Sequence, residues 1–473
     1  MAQTVPSTPD ATTRAEVSIG VPKETVDGER RVSLIPDTVS RLTGSGVEIL
    51  VEAGAGEGSS ISDDEYAEAG ATIVPDAAAL FKRANLMIKV QAPSHGAHGG
   101  NEVAAMRPET TLISFLAPLV NHDLVKALAQ QRITSFSMDA VPRTTRAQTM
   151  DAISAMTTIS GYKAVLLAAD HLPKFFPLLM TAAGTIRPAK VLIIGAGVAG
   201  LQAIATARRL GAVVEAYDTR PVVKEQVESL GAKFVEIDTG SSDTQDAGGY
   251  ARAATEEELR RQQEGLNGRI AESDVVITTA LVPGRPAPRL IPASAVAAMR
   301  TGSVIVDLAA ESGGNCELTE PGETVVREGV TIIGLLNLPS TMPVHASQMY
   351  ARTIQNLLGL MIKDGKLNLN MEDDIIRGMC VTLDGEIVHE QTRKAMGLDP
   401  VEAPAPVAEP ELADDPALVD EPVPLDEPMP ADGPDVGKEP QPVTEPEPAI
   451  EPEPVAESAP DKDDADKQRV REG

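Results

Sequence analysis

Apolar residues along this chain fall in short continuous runs separated by stretches with helical spacing. Val17–Val21, Val47–Val51, Leu86–Val90, Thr111–Leu116 and Ile133–Met138 read as strands, and Asp37–Leu42, Asp64–Glu68, Ala77–Arg83 and Asn121–Gln130 between them read as helices. Strands that are apolar at every position are buried on both faces, so this alternation implies a parallel sheet covered on each side. A helix over Ala147–Leu172 then leads to a second unit. Its strands are expected at Val191–Ile194, Val213–Tyr217, Phe234–Ile237, Val275–Thr279, Ser303–Leu308 and Val330–Leu335, and its helices at Gly197–Leu210, Val222–Leu230 and Pro292–Met299. The second sheet is then complete, so a last helix over Ser347–Lys363 is expected to pack back on the first. The pattern predicts an α/β chain of two doubly wound domains, 17–146 with 341–390 and 147–340, and the cleft between them is the default site.

One stretch breaks the alternation. Thr239–Gly249 is polar, runs into Gly248-Gly249-Tyr250 and precedes a charged helix over Thr255–Glu264. A loop of that length is commonly a lid, the alternative being a passive surface excursion.

The most specific motif opens the second unit. The run from Val191 to Ile194 leads into Gly195-Ala196-Gly197-Val198-Ala199-Gly200, then a helix, then a strand ending on Asp218. Glycine at 195 allows the tight turn, at 197 lets a pyrophosphate approach the backbone, and at 200 lets helix and strand pack closely. Free N–H groups at the helix start favour an anion. Asp218 stands 18 residues beyond Gly200, where a carboxylate accepts from a ribose 2′-OH and repels a 2′-phosphate. A Rossmann-like NAD(H) site is expected, with Arg220 a weak counter-signal for a 2′-phosphate. A glycine-rich turn without ligand is the alternative.

Composition adds limits. The two cysteines of the 473 residues, Cys316 and Cys380, make neither a disulfide framework nor a zinc pattern, so no metal site is expected. Trp is absent, aromatics are 2% and the net charge is -29, which together argue against nucleic acid. Residues 399–473 hold 23 acidic and 5 basic side chains and 17 of the 37 prolines. Such a segment buries too little apolar surface to offset ordering entropy, so 391–473 is expected to be a disordered, Pro- and Glu-rich tail, and 1–16 a loose arm. No continuous run of 18 apolar residues occurs, so no membrane-spanning helix is expected.

Between the domains lies Asp139-Ala-Val-Pro-Arg-Thr-Thr-Arg-Ala-Gln-Thr-Met-Asp-Ala-Ile-Ser154. Asp151 and Ser154, three apart, share a helix face, with Arg143 and Gln148 on the loop before them. Such a cluster can hold a carboxamide and leave one amide pointing at a second ligand. On spacing alone, a capped helix start with solvated charges explains it too.

That loop, together with Val21-Pro-Lys-Glu24, Arg31-Val-Ser-Leu-Ile-Pro36, Val51-Glu-Ala-Gly-Ala-Gly-Glu-Gly58, Met180-Thr-Ala-Ala-Gly-Thr185, the glycine fingerprint, Ile277-Thr-Thr-Ala-Leu-Val-Pro-Gly-Arg-Pro-Ala-Pro288 and Asp307-Leu-Ala-Ala-Glu-Ser-Gly-Gly-Asn-Cys316, resembles the alanine dehydrogenase and transhydrogenase family over about residues 17–390. Arg143-x-x-Arg146-Ala-Gln148-x-x-Asp151 is similar to the transhydrogenase branch. The dehydrogenase branch carries a lysine where this chain has Gln91, a histidine where it has Ala117 and an aspartate where it has Glu311. Without them Arg31 cannot bind and protonate an amino-acid substrate, and a structural Arg31 is expected.

The resemblance implies direct hydride transfer between NAD(H) here and NADP(H) on a partner subunit. It implies that Arg143, Asp151 and Ser154 hold the nicotinamide, that Gln148 reaches toward the partner, and that Tyr250 closes over the nucleotide. Gly195, Ala196, Gly197, Val198, Ala199, Gly200, Asp218, Thr219, Arg220, Thr279, Ala280 and Leu281 would bind the rest of the cofactor. It further implies a homodimer, cytoplasmic and peripheral on the inner membrane, docked on membrane-spanning subunits that translocate protons. A stand-alone alanine dehydrogenase-like enzyme and a non-catalytic NAD(H) sensor are the alternatives.

Overall fold

The computed structural model describes residues 17–95, 100–237, 256–282 and 284–400, with backbone only for 256–259 and 262. The arm 1–16, the Thr239–Gly249 segment with Tyr250, and the tail beyond 400 lie outside the described residues.

The first domain begins β1 (Ser18–Val21), α1 (Pro36–Gly44), β2 (Glu48–Glu52), α2 (Asp63–Glu68), β3 (Thr72–Val74), α3 (Ala77–Arg83), β4 (Leu86–Ile88), α4 (Glu102–Ala105), β5 (Thr111–Ser114), α5 (His122–Gln130) and β6 (Thr134–Ser137). The chain leaves along α6 (Ala152–His171) and a short hairpin of β7 (Leu179–Thr181) and β8 (Gly184–Ile186). The second domain runs β9 (Lys190–Ile194), α7 (Val198–Arg209), β10 (Val213–Tyr217), α8 (Lys224–Ser229), β11 (Lys233–Phe234), α9 (Glu256–Glu272), β12 (Val275–Thr278), α10 (Ala293–Ala297), β13 (Val304–Asp307), β14 (Thr324–Arg327) and β15 (Val330–Ile333). Then α11 (Pro343–Met361), β16 (Ile362–Lys363), β17 (Lys366–Leu367), α12 (Asp374–Met379), β18 (Cys380–Leu383), β19 (Glu386–Ile387) and α13 (Glu390–Ala395) return to the first.

The first sheet has the order β19-β18-β6-β5-β4-β1-β2-β3 and the second β11-β10-β9-β12-β13-β15-β14. Both are parallel except at the edges, where β18 runs antiparallel to β6, β19 to β18, and β14 to β15. Each sheet is buried on both faces. One face of the first packs on α11 through Tyr350, Ile354 and Leu357, and the other on α3 and α5 through Leu80, Phe81 and Leu124. The second is covered by α7 through Ala203 and Ile204, and on its other face by α9 and α10 through Leu266 and Val296.

α6 belongs to both cores. Ala152, Met156 and Ile159 sit in the first, Ala164, Val165 and Ala168 in the second. It is 20 residues long and holds an 18-residue window with a mean hydropathy of 1.3, enough to cross a membrane by length and composition alone. Here it is the helix that joins the two domains, and its Thr157, Thr158 and Ser160 hydroxyls donate to carbonyls one turn back, which satisfies them without a polar partner elsewhere.

Several expectations are corrected. β3, β14 and the β16–β17 and β18–β19 hairpins escape the apolar pattern, because their strands are only two to four residues long, too short to show a continuous apolar run. Their turns use Glu328-Gly329, Asp364-Gly365 and Asp384-Gly385, each with both residues at positive φ as a two-residue hairpin requires. The predicted tail boundary at 391 is too early. α13 covers 390–395, Thr392 is buried, and Arg393 donates to the carbonyls of Ile387 and Asp399. Helix-forming Gln391-Thr-Arg-Lys-Ala-Met396 precedes the Pro-rich composition and folds with the domain.

Candidate functional site

The glycine turn after β9 is built as its sequence demands. Gly195 has φ +99, and a Cβ there would lie 2.3 Å from Thr279 Oγ1. Thr279, at the end of β12, donates that hydroxyl to the Gly195 carbonyl at 3.0 Å, so the neighbouring strand supports the turn. A Cβ on Gly200 would stand 1.9 Å from the Gly195 carbonyl oxygen, which fixes glycine there. Around Gly197 the nearest atom to such a Cβ is Arg220 Nη2 at 4.0 Å, so the backbone is open to a ligand. No side chain caps the N-terminus of α7. The turn therefore fits a dinucleotide pyrophosphate.

Asp218, at the end of β10, is fully engaged. Its Oδ2 accepts the Ala196 N–H at 2.7 Å and Arg220 Nη2 at 3.0 Å, and its Oδ1 accepts the Arg220 N–H at 2.8 Å and Nε at 3.0 Å. A carboxylate offers about four lone-pair positions. A ribose hydroxyl could therefore bond Asp218 only by displacing one of these donors, and the half-buried Arg220 side chain is the one able to swing. Ala280, beyond Thr279, is clamped by the fully buried Asn315, whose Oδ1 accepts the Ala280 N–H at 3.0 Å and whose Nδ2 donates to its carbonyl at 2.8 Å. Leu281 and Val198 project as exposed apolar side chains, and Thr219 is half-buried.

The loop before α6 is not the start of a continuous helix over 147–172. A short 3-10 turn covers Gln148–Met150, and Asp151 caps α6. Asp151 Oδ1 accepts the Ser154 N–H at 2.9 Å and Oδ2 its hydroxyl at 2.5 Å. The pair is thus a helix cap in this state, and Arg143, Gln148 and Thr149 are exposed. Arg146 forks onto Asp373, at 2.7 and 2.8 Å, and onto Asp374 at the start of α12, while Asn356 Nδ2 of α11 donates to the Thr149 carbonyl at 2.8 Å. These contacts tether the loop on both sides of Gln148.

α6 also connects this loop to the glycine turn. A Cβ on Gly161 would lie 2.1 Å from the carbonyl oxygen of Ala199, in the first turn of α7. Ser154 is seven residues earlier on α6, on the same helix face and about 10 Å along the axis. The loop therefore lies about two turns from the phosphate turn, on the side facing the second domain.

The carboxyl ends of both sheets meet here. A Cβ on Gly284, beyond β12, would be 3.5 Å from Leu119 Cβ, beyond β5. Gln91, beyond β4, donates Nε2 to Glu29 Oε2 at 2.7 Å, and Asn337, beyond β15, donates Nδ2 to the same oxygen at 2.9 Å. Glu29 pairs with Arg31 through Nη2 at 2.6 Å and Nε at 2.8 Å, with their side chains 0% and 4% exposed. Burial would push the Glu29 carboxyl up, but the hydrogen bond and charge of Arg31, with the Gln91 amide, draw it down to about 2. Arg31 is thus held internally and also donates Nη2 to Asn337 Oδ1 at 2.9 Å.

Glu311 accepts the Asn337 N–H at 2.9 Å. Ala117, with φ 47, donates its N–H to Asp139 at 2.7 Å. Burial pushes the Asp139 carboxyl up, but the Ser137 hydroxyl and the turn's backbone occupy it. Lys89 is buried between Glu24 at 3.3 Å and Glu102 at 2.9 Å. Each charged group on this floor is bound to another residue of the chain.

Residues 164–390 match the family profile described as alanine dehydrogenase/PNT, C-terminal domain, and residues 20–160 the N-terminal domain of that family. The chain belongs to the alanine dehydrogenase/PNT family. Over 376 residues, 79% of this chain and 98% of the other, it is 47% identical to an NAD(P) transhydrogenase subunit alpha component of Rhodospirillum rubrum. A solved transhydrogenase from Sinorhizobium meliloti is similar with a TM-score of 0.71 and 42% identity, covering 78% of this chain and 100% of that one. A solved L-alanine dehydrogenase reaches 0.67 and 27%, covering 80% and 99%. Within the alanine dehydrogenase/PNT family, then, this sequence lies nearer these transhydrogenase proteins than that dehydrogenase.

Of the residues expected from sequence, Gly195–Gly200, Asp218–Arg220 and Thr279–Ala280 surround one turn, and Asp151 and Ser154 bond each other. Tyr250 lies outside the described residues. Sequence reading missed Asn315, Asn337 and Gly161 as placing residues. Asn315 stood in view beside Gly313-Gly314, but its burial, and the contact that Gly161 makes, are visible only once the elements pack.

Proposed function

We propose that this chain is the NAD(H)-binding subunit of a proton-translocating transhydrogenase, passing hydride between its own nicotinamide and NADP(H) held by a partner subunit. The bound cofactors supply the redox chemistry, hydride moving from one ring carbon to another without a general acid. The chain's own residues bind, orient and exclude water. The glycine turn and Thr279 cradle the pyrophosphate, Asp218 takes the ribose hydroxyl once Arg220 moves, and its charge disfavours a 2′-phosphate. Arg143, Asp151 and Ser154 hold the carboxamide, and Gln148 on its tethered loop faces the partner.

The observation that carries this reading is the internal commitment of the cleft's charges. Arg31 is spent on Glu29 and Asn337, so it is not left to grip a metabolite, and the exposed Glu311 carboxylate is turned to the Asn337 N–H through one oxygen. The homodimer is supported by the β7–β8 hairpin region, where Met180, Phe175 and Leu178 are 79%, 55% and 52% exposed. Membrane attachment and proton translocation belong, in this reading, to the partner subunits.

Mixing the chain with a purified NADP(H)-binding subunit should give rapid hydride exchange between NADH and an NADP analogue. Gln148→Asn should slow it while leaving NADH affinity nearly intact. Oxidation of alanine with NAD by the chain alone would overturn the proposal, and absence of exchange with any partner would favour an NAD(H) sensor.

A further inference from the structure

The segment that crosses from β15 back to α11 is pinned at one residue. Asn337 holds a left-handed backbone, φ 49 and ψ 44, which asparagine tolerates better than most side chains. Its amide touches both members of the buried ion pair: Nδ2 donates to Glu29 Oε2 at 2.9 Å and Oδ1 accepts from Arg31 Nη2 at 2.9 Å. Its backbone N–H donates to Glu311 Oε1 at 2.9 Å, on the loop beyond β13. Three residues on, Ser340 Oγ accepts the Arg30 N–H and donates to the Gly28 carbonyl, both at 2.7 Å.

One amide thus joins the carboxyl ends of the two sheets at the mouth of the cleft. The first domain contributes Glu29, Arg31 and Gln91, and the second contributes Glu311. Glu29 and Arg31 are already oriented by each other, and Glu29 also by Gln91, so the contact is stiff. An exposed interdomain contact would slide, whereas a half-buried amide bonded to both members of a buried ion pair has one geometry.

We propose that Asn337 is a positioning residue for hydride transfer, setting the separation between the loop of Arg143, Gln148 and Asp151 and the nucleotide on the second domain. The inference rests on the transhydrogenase reading. The nucleotide's phosphates and ribose bind within the second domain alone, so loosening the strut should cost rate rather than affinity.

The test uses the full chain with its NADP(H)-binding partner, reading single-turnover hydride transfer at saturating NADH, NADH affinity by titration, and interdomain distance by pulsed spin-label spectroscopy. Labels go on Thr72→Cys and Val326→Cys, both exposed sheet edges, while the native Cys316 and Cys380 are buried. Asn337→Gly keeps the left-handed backbone and removes the amide. It should slow transfer roughly tenfold or more, with affinity within about threefold, and broaden the distance distribution.

Asn337→Asp places a second carboxylate against Glu29 and should act likewise. Adding Glu29→Gln to it exchanges amide and carboxylate across the contact, leaves Arg31 a carboxylate partner, and should restore both rate and a narrow distribution. A narrow distribution in Asn337→Gly overturns the strut whatever the activity. A broadened one with undiminished transfer overturns the positioning role. If the unmodified chain transfers no hydride but the distances respond as described, the strut stands and the functional reading falls.

Discussion

The contact between Gly161 and Ala199 allows a sharp prediction. In Gly161→Ala the new methyl would sit 2.1 Å from the Ala199 carbonyl oxygen and 2.9 Å from its carbonyl carbon, both backbone atoms that no rotamer change can move. Contacts of this kind do not fall below 3.0 Å, so α6 and the first turn of α7 must part by about 1 Å. That turn carries the N–H groups assigned to the pyrophosphate, and a misplacement of about 1 Å can cost a hundredfold in a positioned interaction. NADH affinity should therefore fall roughly tenfold to a hundredfold.

Stability should respond by a similar or smaller amount. Overpacking costs about 1–3 kcal/mol, while alanine in a helix interior regains about 1 kcal/mol over glycine, leaving a net loss of about 0–2 kcal/mol. Gly268→Ala, in α9 with nothing within 4 Å of the added carbon, is the control. It should gain about 1 kcal/mol and bind NADH unchanged. Calorimetric titration and thermal melts read both quantities. If Gly161→Ala bound NADH as tightly as the unmodified chain, α6 would not be what places the phosphate turn.

Two further predictions concern charges. Asp218→Asn should weaken NADH binding roughly tenfold or more, because a hydrogen bond to a charged group is worth about 1.5–3 kcal/mol; an unchanged titration would remove the ribose assignment. Glu29 has a folded-state value of about 2, below its ordinary 4.5, so its stabilisation is fully present above about pH 4.5 and is lost as the pH falls toward about 2. The difference corresponds to on the order of 3 kcal/mol at neutral pH. Denaturant unfolding of the unmodified chain and Arg31→Met should show a stability gap that is widest near neutrality and closes through that window. A gap independent of pH would mean that Arg31 is not what holds Glu29 ionised.

Much of the fold was legible because it depends on local pattern. Apolar runs such as Val275–Thr278 and Val304–Asp307 can satisfy burial on two faces only inside a parallel sheet, and glycines 195, 197 and 200 with Asp218 carry their geometry in their spacing. The edge strands were harder, since the Asp364-Gly365 and Asp384-Gly385 turn signals lie between short segments whose burial depends on what they pair with.

The sequence by itself therefore determined the two layered domains, the nucleotide turn and the lack of a free acid at positions 91 and 117, because each follows from side-chain type and separation along the chain. Only the tertiary structure decided that Asp218 is already saturated by Arg220 and Ala196, that Arg31 is consumed by Glu29, and that Asn337 ties one domain to the other. Glu29–Arg31 and Asp218–Arg220 are two residues apart, yet only the folded turns bring them face to face, and Asn337 reaches Glu29 across 308 positions, a contact settled by how two sheets come together and not by any local preference.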